Sequence, residues 1–497
     1  MAAITQALLR GVVLESLALP SKFDETAVAW ASVNANRRFL QYLRLTPFGA
    51  DTEANRTAER YRLAALGSLA TIASRFAGIG LIVLTVRWAA PQLGPERFGV
   101  WATFSGLAAT LTFLDLGVGN ALVNRIAHAT ASGDLHRLTT VIMGGLGWLL
   151  VIGSAASIIL GAACAYVPWT TLFKLSSLES GEGTRVAALV FSMLFGLNIL
   201  STGGLKILIG QQRSHEAQLI AMFAALLAYP ATWLALRYGN SVGLLLAAGL
   251  GTQSVTTIAM VLLRLARRGL LATRRLAVSM RQERNNLLST GALFLVVQIG
   301  TAIGWGSDTL LLASIAGAAD VAAFAVAQRL FLFAIQPVAI LNGSLWAAYS
   351  DAYARDDRGF IRHTLRRSAV LSVLVGGGLS ILLLLFGTRL VALWTENAID
   401  VPWALLAVFA LWTPLEAGGT AVAYYLNGTG IVREQMVVVL AFCALALPAK
   451  VFATLHAGAT GLVAATAFAY AVSHVGLYGT VYRQRILAPL RRKRDVT

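Results

Sequence analysis

Between Ser368 and Thr388 the chain runs for 21 residues without a charged side chain. A helix of that length covers about 30 Å, the thickness of a bilayer's hydrocarbon core. The pattern recurs. Predominantly apolar runs long enough to cross lie near 66–90, 98–122, 138–165, 186–209, 217–236 and 242–263, and again near 287–313, 320–347, 367–387, 401–426, 435–454 and 458–481. Inside hydrocarbon a spanning segment must satisfy its own backbone N–H and C=O groups, so such runs fold as α-helices. The expected fold is an all-α polytopic membrane protein with about twelve transmembrane helices, in two six-helix bundles around a central cavity.

Composition excludes the soluble alternatives: of 497 residues, 57% are hydrophobic and only 13% charged, with a mean hydropathy of +0.69. The formal charge of +17 does not indicate a nucleic-acid partner, because the basic residues sit in short loops between apolar runs. Cys164 and Cys443 both lie inside apolar runs, which supports neither a disulfide framework nor a metal cluster.

The loops orient the chain. Arg264, Arg267, Arg268, Arg274, Arg275, Arg281 and Arg284 stand against a single acid, Glu283, at the joint between the two sets of runs. Short basic loops resist translocation, so this joint belongs on the cytoplasmic side. Twelve spans with both termini inside assign about 30 Lys and Arg to the inner segments and about half a dozen to the outer loops. The domain plan is a cytoplasmic extension over 1–65, bundles over 66–263 and 287–482, a basic linker over 264–286 and a basic tail over 483–497. The apolar stretch Ile4 to Leu19 in the extension is too short to span. This topology implies a multi-pass protein of a bacterial cytoplasmic membrane.

An offset of 223 residues places Gly94 on Gly317 and Trp101 on Phe324, a faint internal repeat. Two halves with an even number of helices enter from the same side, so they are related about an axis along the membrane normal.

Ionisable residues at membrane depth cost about 2.5–3.5 kcal/mol each even on insertion scales, so their positions are informative. Arg75 lies near the middle of the first span and Arg329 near the middle of the eighth. Asp115 lies in the second, Asp308 in the outer part of the seventh and Glu416 mid-depth in the tenth, while Arg87 and Lys450 lie near outer ends where they can snorkel. Asp115, beside Gly117 and Gly119, either shapes a glycine-rich helix end or takes part in charge pairing. Asp308 and Glu416 are candidates for pairing with the arginines or for ion coupling. A guanidinium binds phosphate oxygens bidentately, so Arg75 and Arg329 from opposing halves suit a pyrophosphate. A cation exporter would instead use the carboxylates together with aromatic residues, and the chain has eleven tryptophans.

Pro230, Pro337, Pro414 and Pro448 are expected to bend their helices. No phosphate-binding glycine loop ending in Lys-Ser/Thr is present, and loops of under about 25 residues leave no room for a catalytic domain, so no enzyme is expected.

The stretch Leu93-Gly94-Pro95-Glu96-Arg97-Phe98-Gly99-Val100-Trp101, followed by Leu114-Asp115-Leu116-Gly117-Val118-Gly119-Asn120-Ala121-Leu122, resembles the polysaccharide transporter family. These are the O-antigen and exopolysaccharide flippases of the multidrug/oligosaccharidyl-lipid/polysaccharide exporter superfamily. Arg125, Ala127, Gly133 and Asp134 continue the likeness, as does Phe324-Ala325-Val326-Ala327-Gln328-Arg329-Leu330. The resemblance implies alternating-access translocation of a polyprenyl-pyrophosphate-linked oligosaccharide, coupled to a proton or sodium gradient and serving O-antigen or exopolysaccharide synthesis. It implies substrate contacts at Arg75, Arg329, Gln328 and Gln298, with Asp308, Glu416 and Asp115 as ion-coupling or charge-pairing residues. Its partners would be membrane lipids, a polysaccharide polymerase and glycosyltransferases. A multidrug or organic-cation antiporter of the same superfamily is the alternative. The N-terminal extension departs from the family's pattern.

Overall fold

The structure, a computed structural model, describes residues 53–110, 115–239, 241–271, 276–287, 304 and 306–479. Among these, nine helices are long and apolar enough to cross a membrane. Two of the nine are too long for one crossing. The 43-residue stretch Leu66–Ala108 and the 47-residue stretch Arg433–Gly479 would each extend more than 60 Å as straight helices, about twice the hydrocarbon core. Each contains a break: Gly94 (φ 70°, ψ 172°) in α1, Glu53–Thr110, and Ala457 with Gly458 in α13, Val432–Tyr470, whose helical path continues to Gly479. Of the seventh expected span only 287, 304 and 306–313 are described.

Between these lie α2 (Val118–Ala131), α3 (Leu135–Tyr166), the short α4 (Trp169–Leu172), α5 (Leu178–Gly210), α6 (Ser214–Tyr238), α7 (Val242–Arg267), α8 (276–287), α9 (Asp308–Ile315), α10 (Ala318–Ala354), α11 (Arg358–Thr395) and α12 (Trp403–Thr429). Several exceed the apolar runs that predict them. Helix α11 starts nine residues before the expected 367, carrying Arg358, Arg362 and Arg366 on a helical extension. Backbone hydrogen bonding continues past the hydrocarbon, so hydropathy marks the span and not the helix ends.

The first half packs α1 on α6, α3 on α5, and α2 and α7 on α5; the second packs α10, α11 and α12 together, with α13 on α12 and α9. The halves meet along α1 and α10. Gly99 is required there: a Cβ at this position would fall on the Ala318 carbonyl. The faint repeat is visible as well, because Gly94 and Gly317 both take left-handed backbone angles (φ 70° and 105°). Only glycine adopts these freely, and each ends the first span of its half.

The expected bends at prolines are not where the chain breaks. Pro230, Pro337 and Pro414 lie within continuous helices, and in α13 the non-helical residues follow Pro448 by nine positions. Instead, single π-helical turns occur at Ala247–Gly251 within α7 and at Ala471–Gly476 after α13.

The basic joint is not a free linker. Helix α8 docks on the first half, where Arg125 holds Glu283 through both carboxylate oxygens (2.6 and 2.9 Å) and Trp148 Nε1 donates to the Met280 carbonyl at 3.0 Å. Residues 1–52 of the expected extension, 272–275 of the joint, 480–482 of the second bundle and the tail over 483–497 lie outside the described residues.

Candidate functional site

The second half lines a cavity of about 290 Å³ whose polar residues include Asp308, Gln328, Arg329, Thr413, Glu416 and Thr466. Its walls are aromatic, with Phe324, Phe331, Phe409 and Trp412. Helix α10 supplies Gln328 and Arg329, and the fully buried alanines and phenylalanines between Val321 and Phe331 lock that turn of the helix in place. Helix α12 supplies Phe409, Trp412, Thr413 and Glu416, four positions on one face by their i, i+3, i+4, i+7 spacing.

Arg329 reaches across to the first half. Its Cζ lies 4.9 Å from the centroid of the Trp101 ring, a cation–π contact that holds the guanidinium without cancelling its charge. Its Nη1 is buried with no hydrogen-bond partner among the described residues. A guanidinium fixed by its face and short of an acceptor is set up to receive an anion's oxygen. Across the same cavity Glu416 accepts a hydrogen bond from Trp412 and has no ion-pair partner among the described residues. Trp412 meets Tyr470 edge-on at 5.0 Å, and Tyr470 stacks on His474, in the π-turn, at 3.9 Å.

Asp308 is engaged by neither arginine. It pairs with Lys450, whose Nζ lies 2.6 Å from Asp308 Oδ1 and 2.6 Å from the Gly304 carbonyl. This corrects the expectation that Lys450 snorkels to the headgroups: its side chain is 0% exposed. A buried charge left without its counter-ion costs more than a paired one, and the Phe442 ring lies 5.8 Å from the ammonium. Sequence held a signal, since Asp308 and Lys450 both fall in the outer part of their spans.

Asp115 has the structural role. Its carboxylate accepts from the Gly117 and Gly119 N–H groups (2.8 and 3.2 Å) and from Lys206 Nζ (3.1 Å), fixing the start of α2. Lys206 escaped the sequence reading because it closes an apolar run. Arg75 is exposed on α1 and does not line the cavity, so the structure does not bring it together with Arg329. Gln298 lies outside the described residues. Arg87, expected to snorkel, instead bridges the halves, as does Trp101; neither cross-half partner can be read from one sequence.

The family model described as "Polysaccharide biosynthesis protein" matches residues 64–349, more than half of the chain. The chain belongs to this family. A second model, MatE, matches residues 295–452, which hold the Asp308–Lys450 pair and Glu416. No curated protein matches the chain. Among solved structures it is similar to the inward-facing conformation of a multidrug resistance MATE family transporter of the MOP superfamily, with a TM-score of 0.67, 17% identity and coverage of 84% of this chain and 96% of that one. The outward-facing conformation of such a transporter gives 0.59 at 17% identity, with 87% and 97% covered. The lipid II flippase MurJ, in an inward closed conformation, gives 0.63 at 12% identity, with 85% and 90% covered. The chain shares the fold of these membrane transporters.

Proposed function

We propose that this member of the polysaccharide biosynthesis family is a flippase that moves a polyprenyl-pyrophosphate-linked oligosaccharide across a bacterial cytoplasmic membrane by alternating access of its two halves, 66–263 and 287–482. The observation that carries the proposal is Arg329, a cation that lines the cavity, held on Trp101, with its buried Nη1 short of a hydrogen-bond acceptor among the described residues. A permanently charged, planar donor matches a pyrophosphate oxygen and offers nothing to a cationic drug. In this reading Arg329 takes the phosphate, Gln328 a neighbouring polar group, and Glu416 binds the coupling proton or sodium ion. Both termini are cytoplasmic, and the product feeds O-antigen or exopolysaccharide assembly alongside a polymerase and glycosyltransferases.

One observation favours the antiporter alternative: Glu416 shares its cavity with four aromatic side chains, a setting suited to an organic cation. Binding of a polyprenyl-pyrophosphate oligosaccharide to the purified protein, with a lipophilic cation as competitor, separates the two. The flippase reading expects saturable glycolipid binding that Arg329→Ala weakens about 10- to 100-fold, the value of a charge-assisted hydrogen bond. Cation binding lost in Glu416→Gln, with no glycolipid binding, would replace it with the antiporter.

A further inference from the structure

At the end of the first half that carries the basic loops, Glu216 in the first turn of α6 is surrounded by three arginines and a histidine. Arg268 binds both of its carboxylate oxygens at 3.0 and 3.1 Å, Arg213 Nη1 lies at 2.6 Å, Arg264 at 3.7 Å and His215 Nε2 at 4.0 Å. Three guanidinium groups thus share one carboxylate. A network that served only to hold the helices would need no such excess of positive charge.

Two buried nitrogens inside the cluster lack partners among the described residues, Gln211 Nε2 and His215 Nδ1. Gln211 is 8% exposed, and its Oε1 already accepts from Arg268 Nη1 at 3.2 Å, which fixes the amide within the cluster. The Gln211 amide N–H, a donor buried without an acceptor, carries a desolvation cost that a ligand oxygen removes. The N-terminus of α6 opens onto the same place without a side-chain cap, and its partial positive charge adds to the field. Arg268 and Gln211 form the floor, while Arg213 and Arg264, with side chains 43% and 48% exposed, leave one side open.

We propose that this cluster is a binding site for a phosphate-bearing anion at the membrane surface, separate from the transport cavity and independent of the flippase reading. The shared chemistry is a phosphate monoanion or pyrophosphate, carried by an anionic lipid headgroup or free in solution. Lipid-borne phosphate reaches the cluster directly, because α1 passes it as it enters the bilayer, with Gly67 against Ser214.

The test uses the full chain in phosphatidylcholine nanodiscs, titrated with phosphatidylglycerol and read by native mass spectrometry, with inorganic pyrophosphate as competitor. Saturable phosphatidylglycerol retention, weakened about tenfold or more in Arg213→Gln/Arg264→Gln, is expected. Both substituted residues are exposed, so the Arg268 contact to Glu216 that holds the fold remains. Glu216→Gln removes the competing carboxylate and is expected to tighten binding. Displacement by pyrophosphate supports a site open to free as well as lipid-borne phosphate; retention in its presence supports a lipid site. Binding of both probes unaffected by the double substitution, or absent in the unmodified chain, overturns the proposal.

Discussion

Arg87 Nη2 lies 2.9 Å from Glu396 Oε1, joining α1 of one half to the turn that ends α11 of the other. Arg87 also donates to the Leu393 carbonyl, and Trp394 Nε1 donates to the Val83 carbonyl at 2.8 Å. At the same end Lys174 Nζ reaches the Ile315 carbonyl at 2.5 Å and the Ala318 N–H donates to the Phe173 carbonyl at 3.0 Å. These contacts close the halves together at the end opposite the basic loops. The Arg87 side chain is 40% exposed and that of Glu396 54%, so the pair is worth about 0–1 kcal/mol. Arg87→Ala is therefore expected to raise the population open at this end by no more than about fivefold. Spin labels at Gln92 and Asp400 would report a longer distance; an unchanged distribution would mean that the ion pair does not bias the equilibrium.

Lys450 and Asp308 behave differently because both are buried, with side chains 0% and 11% exposed. Lys450→Met leaves a buried carboxylate without its counter-ion and is expected to destabilise the protein by about 3–5 kcal/mol. Lys450→Met with Asp308→Leu removes both charges and is expected to recover much of that loss, seen as a higher thermal midpoint in detergent than the single variant. A double variant no better than Lys450→Met would show that the ammonium acts through its bond to the Gly304 carbonyl instead.

Gly99 and Gly78 make a matched pair on α1. A side chain at Gly99 meets the Ala318 backbone, whereas nothing lies within 4 Å of a Cβ at Gly78. Gly99→Ala is expected to cost about 1–3 kcal/mol by forcing α1 from α10, and Gly78→Ala to be neutral or to stabilise by up to about 1 kcal/mol. Unfolding midpoints of the two variants check the contrast.

Trp101 holds Arg329 by its ring face. Trp101→Phe keeps a weaker face and Trp101→Ala none, so substrate affinity is expected to fall in that order, by up to about 2 kcal/mol for the alanine variant. Equal affinities in the two variants would show that the ring packs beside the guanidinium without orienting it.

The docking of α8 depends on Glu283, 6% exposed and held by Arg125. Arg125→Ala strands that carboxylate, and amide exchange across 276–287 is expected to rise, while α5, which Arg125 does not touch through Glu283, keeps its protection.

The helical class, the number of spans, the basic asymmetry of the loops and the turn glycines Gly94 and Gly317 were legible in the sequence. Each is a one-dimensional property: hydropathy over about 20 residues, charge between runs, or a residue type that a backbone angle demands. The same reasoning ranked Arg329, Asp308 and Glu416, because cost depends on depth and depth is readable along a run. Partnership was not readable. Depth says nothing about which way a side chain faces around its helix or which helix stands next to it. So Lys450 for Asp308, Lys206 for Asp115, Trp101 for Arg329 and Glu396 for Arg87 came only from the packing of helices distant in the chain. Packing likewise kept the helices continuous through Pro230, Pro337 and Pro414 and placed Arg75 away from the cavity that holds Arg329.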